Sequence, residues 1–370
     1  LWRIDLGVNI RAGAHYTQFL VYDFDGDGRA EVVCKTAPGT KDGTGAFIGQ
    51  PGKFVGTPSA PIDHSADYRN EDGYILTGPE FFTIFNGLTG AELATTNYIP
   101  PRNDNPASSD VSAWGDNYGN RVDRFLACVA YLDGRRPSLV LCRGYYTRAV
   151  VAAWDWRNGQ LTPRWVFDTG HNGTASPYAN WRGQGSHSVT VGDVDGDGRD
   201  EITYGASAID DDGSGLYSTL LGHGDAVHLS DMDPTRPGQE LWMVHEDPGS
   251  YGPNGQDFRD ARTGEIIFGV PGNGADVGRG VAGDIDPRFL RYEMWGSRSG
   301  LMAVNGTQIS AARPGQMNFM IWWDGDLLRE ILDGTTISKW DWNTSTTSVL
   351  LSSPDVSSNN GTKATPALSG

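Results

Sequence analysis

Two ten-residue strings set carboxylates at alternate positions with glycine between them: Asp23-Phe-Asp25-Gly-Asp27-Gly-Arg-Ala-Glu31-Val and Asp193-Val-Asp195-Gly-Asp197-Gly-Arg-Asp-Glu201-Ile. In such a loop side chains one, three and five converge as hard oxygen donors suited to Ca²⁺, and glycine supplies the positive φ of the curl. An EF-hand would need a bidentate Glu at position twelve, where Cys34 and Tyr204 stand. The acid comes at position nine instead, as Glu31 and Glu201, so these read as calcium loops between strands. Shorter relatives are Asp231 and Asp233 followed by Glu240, and Asp284 and Asp286 followed by Glu293. Asp210 and Asp212 in an acidic run, with Asp225 and Glu246 beside histidines, complete the expected metal ligands. No His-x-Glu-x-x-His or Cys-rich spacing favours zinc. The competing reading is an acidic, turn-rich surface in which Asp forms Asx turns.

A second set of loops carries basic side chains framed by glycine: Gly183-Gln-Gly-Ser-His187-Ser, Gly222-His223-Gly224, Val277-Gly278-Arg279-Gly280 and Asn359-Asn360-Gly361-Thr362-Lys363. A long basic group between glycines has little local packing to do, which fits a loop reaching into a cleft. A nucleophile elbow, a phosphate-binding loop and a dinucleotide fingerprint are all missing from the sequence.

The elements that position these loops read as short strands, such as Val32 to Cys34, Phe125 to Tyr131, Ser138 to Cys142 and Val150 to Trp154. Helical periodicity and capping boxes are lacking, so the class is all-β. The acidic element starts at Asp133 (in degenerate form), Asp193, Asp231 and Asp284, spacings around the ~40–50 residues of a propeller blade. It alternates with hairpin turns at Thr89-Gly90, Asn158-Gly159 and Thr263-Gly264. Blades bury their faces only by stacking radially, so one β-propeller domain spanning residues 1–370 is expected rather than two domains. The chain opens on Leu1-Trp2-Arg3-Ile4-Asp5 in mid-strand, so it is read as an internal portion whose ring is incomplete.

Composition narrows the partners. The 370 residues hold 46 acidic and 29 basic side chains, a formal charge of −17, which disfavours nucleic acid. With 12 Trp, 14 Tyr and 13 Phe the chain has enough aromatic surface to build cores and does not read as a disordered acidic tail. No apolar run approaches the ~18 residues of a membrane helix. Cys34, Cys128 and Cys142 are read as buried thiols, although Cys128 and Cys142 flank the turn at Asp133-Gly134.

Along essentially its whole length the chain resembles the propeller-type rhamnogalacturonan lyases, polysaccharide lyase family eleven. The resemblance lies in Leu1-Trp-Arg-Ile-Asp-Leu-Gly7, Gly13-Ala-His15-Tyr-Thr-Gln18, Asp23 to Glu31 and Trp114-Gly-Asp-Asn-Tyr-Gly-Asn-Arg-Val-Asp-Arg124. It continues in Arg143-Gly-Tyr-Tyr146, Leu221 to Asp233, Asp276-Val-Gly-Arg279, Ile321-Trp-Trp-Asp-Gly-Asp-Leu-Leu-Arg329 and Asn360-Gly-Thr-Lys-Ala-Thr-Pro366. It implies an eight-bladed propeller, several bound calcium ions and secretion. It also implies cleavage of the rhamnose–galacturonate bond of an acidic pectic polysaccharide by β-elimination. By match to the family's motifs, His187, His223, Arg279 and Lys363 fall on cleft positions, and Asn360, Gly361 and Thr362 on a calcium that also meets substrate. Lys363 is then the leading base, Arg279 the carboxylate or enolate partner, and His187 and His223 base or positioning groups. The family also has a first blade before this segment and more chain after it. A monomer is expected. The rival expectation is a non-catalytic calcium-loaded propeller that binds carbohydrate or a partner protein, with a quinone-dependent dehydrogenase a weaker third.

Overall fold

The computed structural model describes residues 1–13 and 15–354. Their packing separates into two compact units, Leu1–Gly183 with Asp211–Ser214, and Gln184–Asp210 with the residues from Gly215 onward. The first unit holds strands β1–β4 (Phe19–Tyr22, Glu31–Thr36, Phe81–Asn86, Glu92–Asn97) and β5–β8 (Phe125–Ala130, Ser138–Arg143, Val150–Arg157, Gln160–Asp168). In the second lie β9–β12 (Thr190–Gly192, Glu201–Thr203, Ser207–Ile209, Gly215–Ser218) and β13–β16 (Ala226–Ser230, Glu240–Val244, Gln256–Asp260, Ile266–Val270). It continues with β17–β20 (Gly280–Gly283, Glu293–Gly296, Leu301–Ala303, Gln308–Ser310) and β21–β24 (Phe319–Ile321, Glu330–Asp333, Thr336–Asp341, Thr346–Ser352). Each group of four is one antiparallel meander, giving six four-stranded sheets among the described residues. The all-β class read from the sequence is what is observed. The one α-helical turn among the described residues, α1, is Pro248–Tyr251. None of these sheets closes on itself.

The second strand of a sheet is flanked on both sides, and in β6 and β14 it carries a buried apolar run of four residues. Leu241, Trp242, Met243 and Val244 of β14 are all buried, as are Leu139 to Cys142 of β6. The β7–β8 hairpin turns on Asn158 and Gly159, both at positive φ (52° and 72°), the backbone that a two-residue turn of the right twist demands. Cores lie between consecutive sheets rather than at one centre. Phe82, Ile84 and Leu20 meet Leu139, Leu141 and Trp154 in the first unit. In the second, Val194 and Ala206 meet Leu241 and Met243, Trp242 and Phe258 meet Met294, and Trp295 and Leu301 meet Ile331 and Trp340. First strands lie side by side as well: β1 against β5, and β9, β13, β17 and β21 in succession. None of the three cysteines forms a disulfide among the described residues; Cys128 stands opposite Val140, not Cys142, and burial pushes the Cys34 thiol up to about 12.

In a meander, alternate loops emerge at opposite ends of the sheet. Within each sheet the acidic loops join the first strand to the second, whereas His187, His223 and Arg279 precede a first strand at the other end. The two classes of chemistry are therefore segregated by topology.

Candidate functional site: carboxylate loops and a histidine–carboxylate cluster

One glutamate opens the second strand of five sheets: Glu31, Glu201, Glu240, Glu293 and Glu330. Its Oε2 accepts backbone N–H groups from the preceding loop, from Phe24 at 2.9 Å, Val194 at 2.8 Å, Met232 at 3.0 Å, Ile285 at 2.9 Å and Trp323 at 2.8 Å. The carboxylate thus folds the loop back over the strand. In the sixth sheet Ser138 takes this place and donates to Asp155 at 2.7 Å. The loops curl as their spacing requires: Asp23 accepts from Gly26 at 2.7 Å and Gly28 at 2.8 Å, and Asp193 from Gly196 at 2.8 Å and Gly198 at 3.1 Å. Ligand oxygens of Asp23, Asp25 and Asp27, and of Asp193, Asp195 and Asp197, lie within 4.8 Å of one another.

These residues fit a cation. Glu201 Oε1 and Glu293 Oε1 are buried with no hydrogen-bond donor among the described residues. Burial, reinforced by the neighbouring aspartates, pushes the carboxyl of Glu31 up to about 7 and those of Glu201 and Glu293 up to about 8. A divalent ion would reverse that shift by neutralising the loop.

The other acidic residues have different surroundings. Asp233 is paired with Arg291 at 3.1 Å and Asp286 with Arg288 at 2.6 Å, while Arg236 lies 3.9 Å from Glu240. Among the described residues, neither Asp231, Asp233 and Glu240 nor Asp284, Asp286 and Glu293 form a three-ligand cluster. Asp212 accepts the Ser214 N–H at 2.8 Å, and Asp210 adds its charge near Glu201. In the loop between β21 and β22 the ammonium of Lys339 contacts Asp324 and lies 2.5 Å from Asp326 and 2.9 Å from Glu330. Here the chain supplies its own cation.

At the opposite end of the second unit's sheets, histidines meet carboxylates. A parallel bridge between Ser186 and Gly224 sets two loops side by side. The rings of His187 and His223 lie 5.1 Å apart, and Asp225 Oδ1 is 3.3 Å from His187 Nε2 and 3.9 Å from His223 Nε2. Glu246 Oε2 approaches His223 Nε2 to 3.4 Å. His223 Nδ1 faces the Gly185 carbonyl at 2.6 Å, so that nitrogen carries the hydrogen. Nε2 then points at two carboxylates, an arrangement that calls for a proton or a metal ion between them. Within this cluster His187, His223 and Asp225 satisfy the spacing of a three-ligand group.

The sequence-predicted residues are thus partly united. His187, His223, Asp225 and Glu246 form one cluster. Arg279 sits in the adjoining loop, where Val277 N–H donates to the His245 carbonyl at 3.1 Å, but its side chain makes no hydrogen bond or ion pair among the described residues. Asn360, Gly361, Thr362 and Lys363 lie outside the described residues.

Sequence reasoning missed the support beneath the cluster. His245, Asp257 and Arg259 have no exposed surface. His245 Nε2 meets Asp257 at 2.7 Å, its Nδ1 faces the Gly222 carbonyl at 3.0 Å, and Arg259 holds Asp257 at 2.8 Å. Burial works against the Asp257 anion, yet the Arg259 guanidinium keeps its carboxyl below the ordinary range. This relay ties the His223 loop to the strand that follows Glu246. Its only trace in the sequence is a pair of charged residues, Asp257 and Arg259, on an otherwise buried strand.

The family model described as rhamnogalacturonan lyase family 11, C-terminal domain, matches residues 1–370. Rhamnogalacturonan endolyase YesW of Bacillus subtilis (strain 168) is 52% identical over 368 residues, covering 100% of the chain and 55% of that protein. Rhamnogalacturonan exolyase YesX of the same organism is also 52% identical, over 384 residues, covering 100% of the chain and 58% of the relative. The crystal structure of YesW superposes with a TM-score of 0.88, covering 100% of the chain and 58% of its own. A Bacillus licheniformis rhamnogalacturonan lyase superposes with a TM-score of 0.88 at 56% identity, over 99% of this chain and 58% of that one. The chain therefore spans little more than half the length of the relatives it matches.

Proposed function

Because the chain belongs to rhamnogalacturonan lyase family 11, we propose that it acts in a calcium-dependent lyase that cleaves the rhamnose–galacturonate backbone of pectin by β-elimination. The observation that carries the reading is the His187–His223–Asp225–Glu246 cluster, held by bonded loops in a chain of this similarity. The acidic polysaccharide is the partner, secretion the location, and an eight-bladed propeller in the complete, monomeric protein the architecture. Six sheets with cores between successive neighbours support that architecture.

When bound, calcium supplies Lewis-acid neutralisation of a uronate carboxylate, which acidifies the proton on the adjacent carbon. Asn360, Gly361 and Thr362 would hold the ion that meets substrate, and Asp23, Asp25, Asp27, Glu31, Asp193, Asp195, Asp197 and Glu201 would hold ions that brace the sheets. His187 and His223 position or take the proton, with Asp225 beside both Nε2 atoms and Glu246 beside that of His223. Lys363 is the leading base and Arg279 the partner of the substrate carboxylate.

Incubation with rhamnogalacturonan, followed by the ultraviolet absorbance of an unsaturated uronate, tests this. Absorbance is expected to rise, to stop with chelator, and to slow by about a hundredfold or more in His223→Ala. Chain cleavage without the absorbance would mean hydrolysis and overturn the reading. No cleavage by the complete protein would favour a carbohydrate-binding module.

A further inference from the structure

Three sequence segments that the histidine cluster does not use converge inside the first unit. Phe125 N–H donates to the His15 carbonyl at 2.9 Å, and Gly144 N–H to the Arg124 carbonyl at 2.8 Å. The His15 and Tyr145 rings lie 6.4 Å apart. Guanidinium groups stack on the tyrosines these segments bring together: Arg11 on Tyr16 at 3.8 Å and Tyr74 at 4.4 Å, and Arg121 on Tyr146 at 4.7 Å.

Several arginines elsewhere in the unit are matched to acids. Arg102 and Arg143 share Glu80, Arg148 clasps Asp168, and Arg164 meets Asp155. By contrast, no carboxylate oxygen among the described residues comes within 4.0 Å of Arg121 or Arg124. Their charge is left beside Tyr146, and Tyr146 forms part of the wall of a cleft of about 630 Å³.

Arg148 lines the same cleft. Its Nε and Nη2 are clamped on Asp168 at 3.0 and 2.5 Å, and the guanidinium lies 4.9 Å over the Trp114 ring. That leaves Nη1 with no acceptor among the described residues, on a group already locked in place. The turn is built for this: Gly144 has φ +78°, and a Cβ there would stand 2.2 Å from the Arg148 carbonyl oxygen and 2.8 Å from Trp114. Asn103, Asn172, Asp104 and Asp110 supply amides and carboxylates along the remaining wall.

We propose that this cleft, contained wholly in the first unit, is a binding subsite for an anionic pyranose. Arg148 Nη1 donates to the sugar carboxylate, Tyr146 offers its ring to the apolar face of the sugar, and Asp104 and Asp110 accept hydroxyl groups. Naming that sugar a galacturonosyl residue rests on the lyase reading. The subsite itself does not.

Trigalacturonate is the probe, because it carries the carboxylates but lacks the rhamnose bond. Titration calorimetry on the chain is expected to show binding that Arg148→Met weakens about tenfold, the loss of one charge-assisted hydrogen bond. Asn172 is exposed, so Asn172→Asp tests the site without disturbing the fold and is expected to weaken binding about threefold by repulsion. Methyl-esterified trigalacturonate is expected to bind less tightly than the free acid. Wild-type affinity in both variants, with melting curves unchanged, would overturn the subsite, as would no binding to the wild type. Should the wild type form no unsaturated uronate while trigalacturonate binding falls in Asn172→Asp, the lyase reading fails and the subsite stands.

Discussion

Glu80 in the first unit and Glu201 and Glu293 in the second are all buried carboxylates, yet their environments drive them in opposite directions. Around Glu80 the chain has placed Lys35 at 3.0 Å, Arg102 at 2.9 Å and Arg143 at 2.8 Å. Burial raises its pKa, but those three cations more than offset it and hold the carboxyl well below its ordinary range. Glu201 and Glu293 have backbone N–H groups on one oxygen and nothing among the described residues on the other, and both are pushed up to about 8. The Glu330 loop falls between, its acids closed by Lys339. Burial alone does not decide the charge state of a carboxylate; the cation nearby does, and where the chain provides none, the group keeps a proton or takes an ion from solution.

The largest expected effect is on the side already neutralised. Glu80→Gln leaves Lys35, Arg102 and Arg143 with only Asp123 among the described residues, 3.6 Å from Arg143, to balance them. About 3–5 kcal/mol of stability is expected to be lost in urea unfolding. A loss below about 1 kcal/mol would break the comparison, since so small a change is typical of an exposed pair.

Opposite pH slopes come next. A carboxyl lowered on folding gives stability that is present above its unfolded value and lost as pH falls through the folded one. Glu80 therefore destabilises the chain only in acid, below its ordinary value of 4.5. A carboxyl raised on folding gives stability that is full below 4.5 and lost as pH rises through about 8, so the chelated chain is expected to weaken between those values through Glu201 and Glu293.

Lys339→Met sharpens the middle case by removing the internal cation. The chelated variant is expected to be less stable than the chelated wild type by about 1–3 kcal/mol, to recover with calcium, and to bind one more ion per chain in equilibrium dialysis. An unchanged ion count would show that the Glu330 loop cannot take a metal. Smallest is Glu201→Gln, which is expected to stabilise the chelated chain at alkaline pH and destabilise the calcium-loaded one, by about 1–2 kcal/mol each way in urea unfolding.

Much of this was legible in the residues. The two full acidic strings announce their curl, because Asp at alternate positions with glycine between admits few other local structures. The glycine-framed His187 and His223 loops announced a site, but their meeting depends on the Ser186–Gly224 bridge, a contact between loops that local spacing does not encode. Which carboxylates need an ion was illegible for the same reason. Lys339 and Arg291 lie 15 and 58 positions along from the acids they neutralise at Asp324 and Asp233, and strand pairing and loop packing, not local spacing, bring them there. The all-β class follows from period-two runs, whereas the number of sheets does not: the Asp133 element is legible without its glutamate, but the copy at Asp324 and Asp326 before Glu330 is hidden because Trp322 and Leu327 stand where the full strings have their first Asp and second Gly.

The rest depends on the proposal that ions from solution complete the Glu31 and Glu201 loops. Thermal unfolding of one preparation across pH 5 to 9, with calcium and with chelator, tests it directly at values bracketing about 7 and about 8. The two curves are expected to converge in acid and separate as pH rises, with the chelated chain melting progressively lower. Curves that coincide at every pH would contradict it.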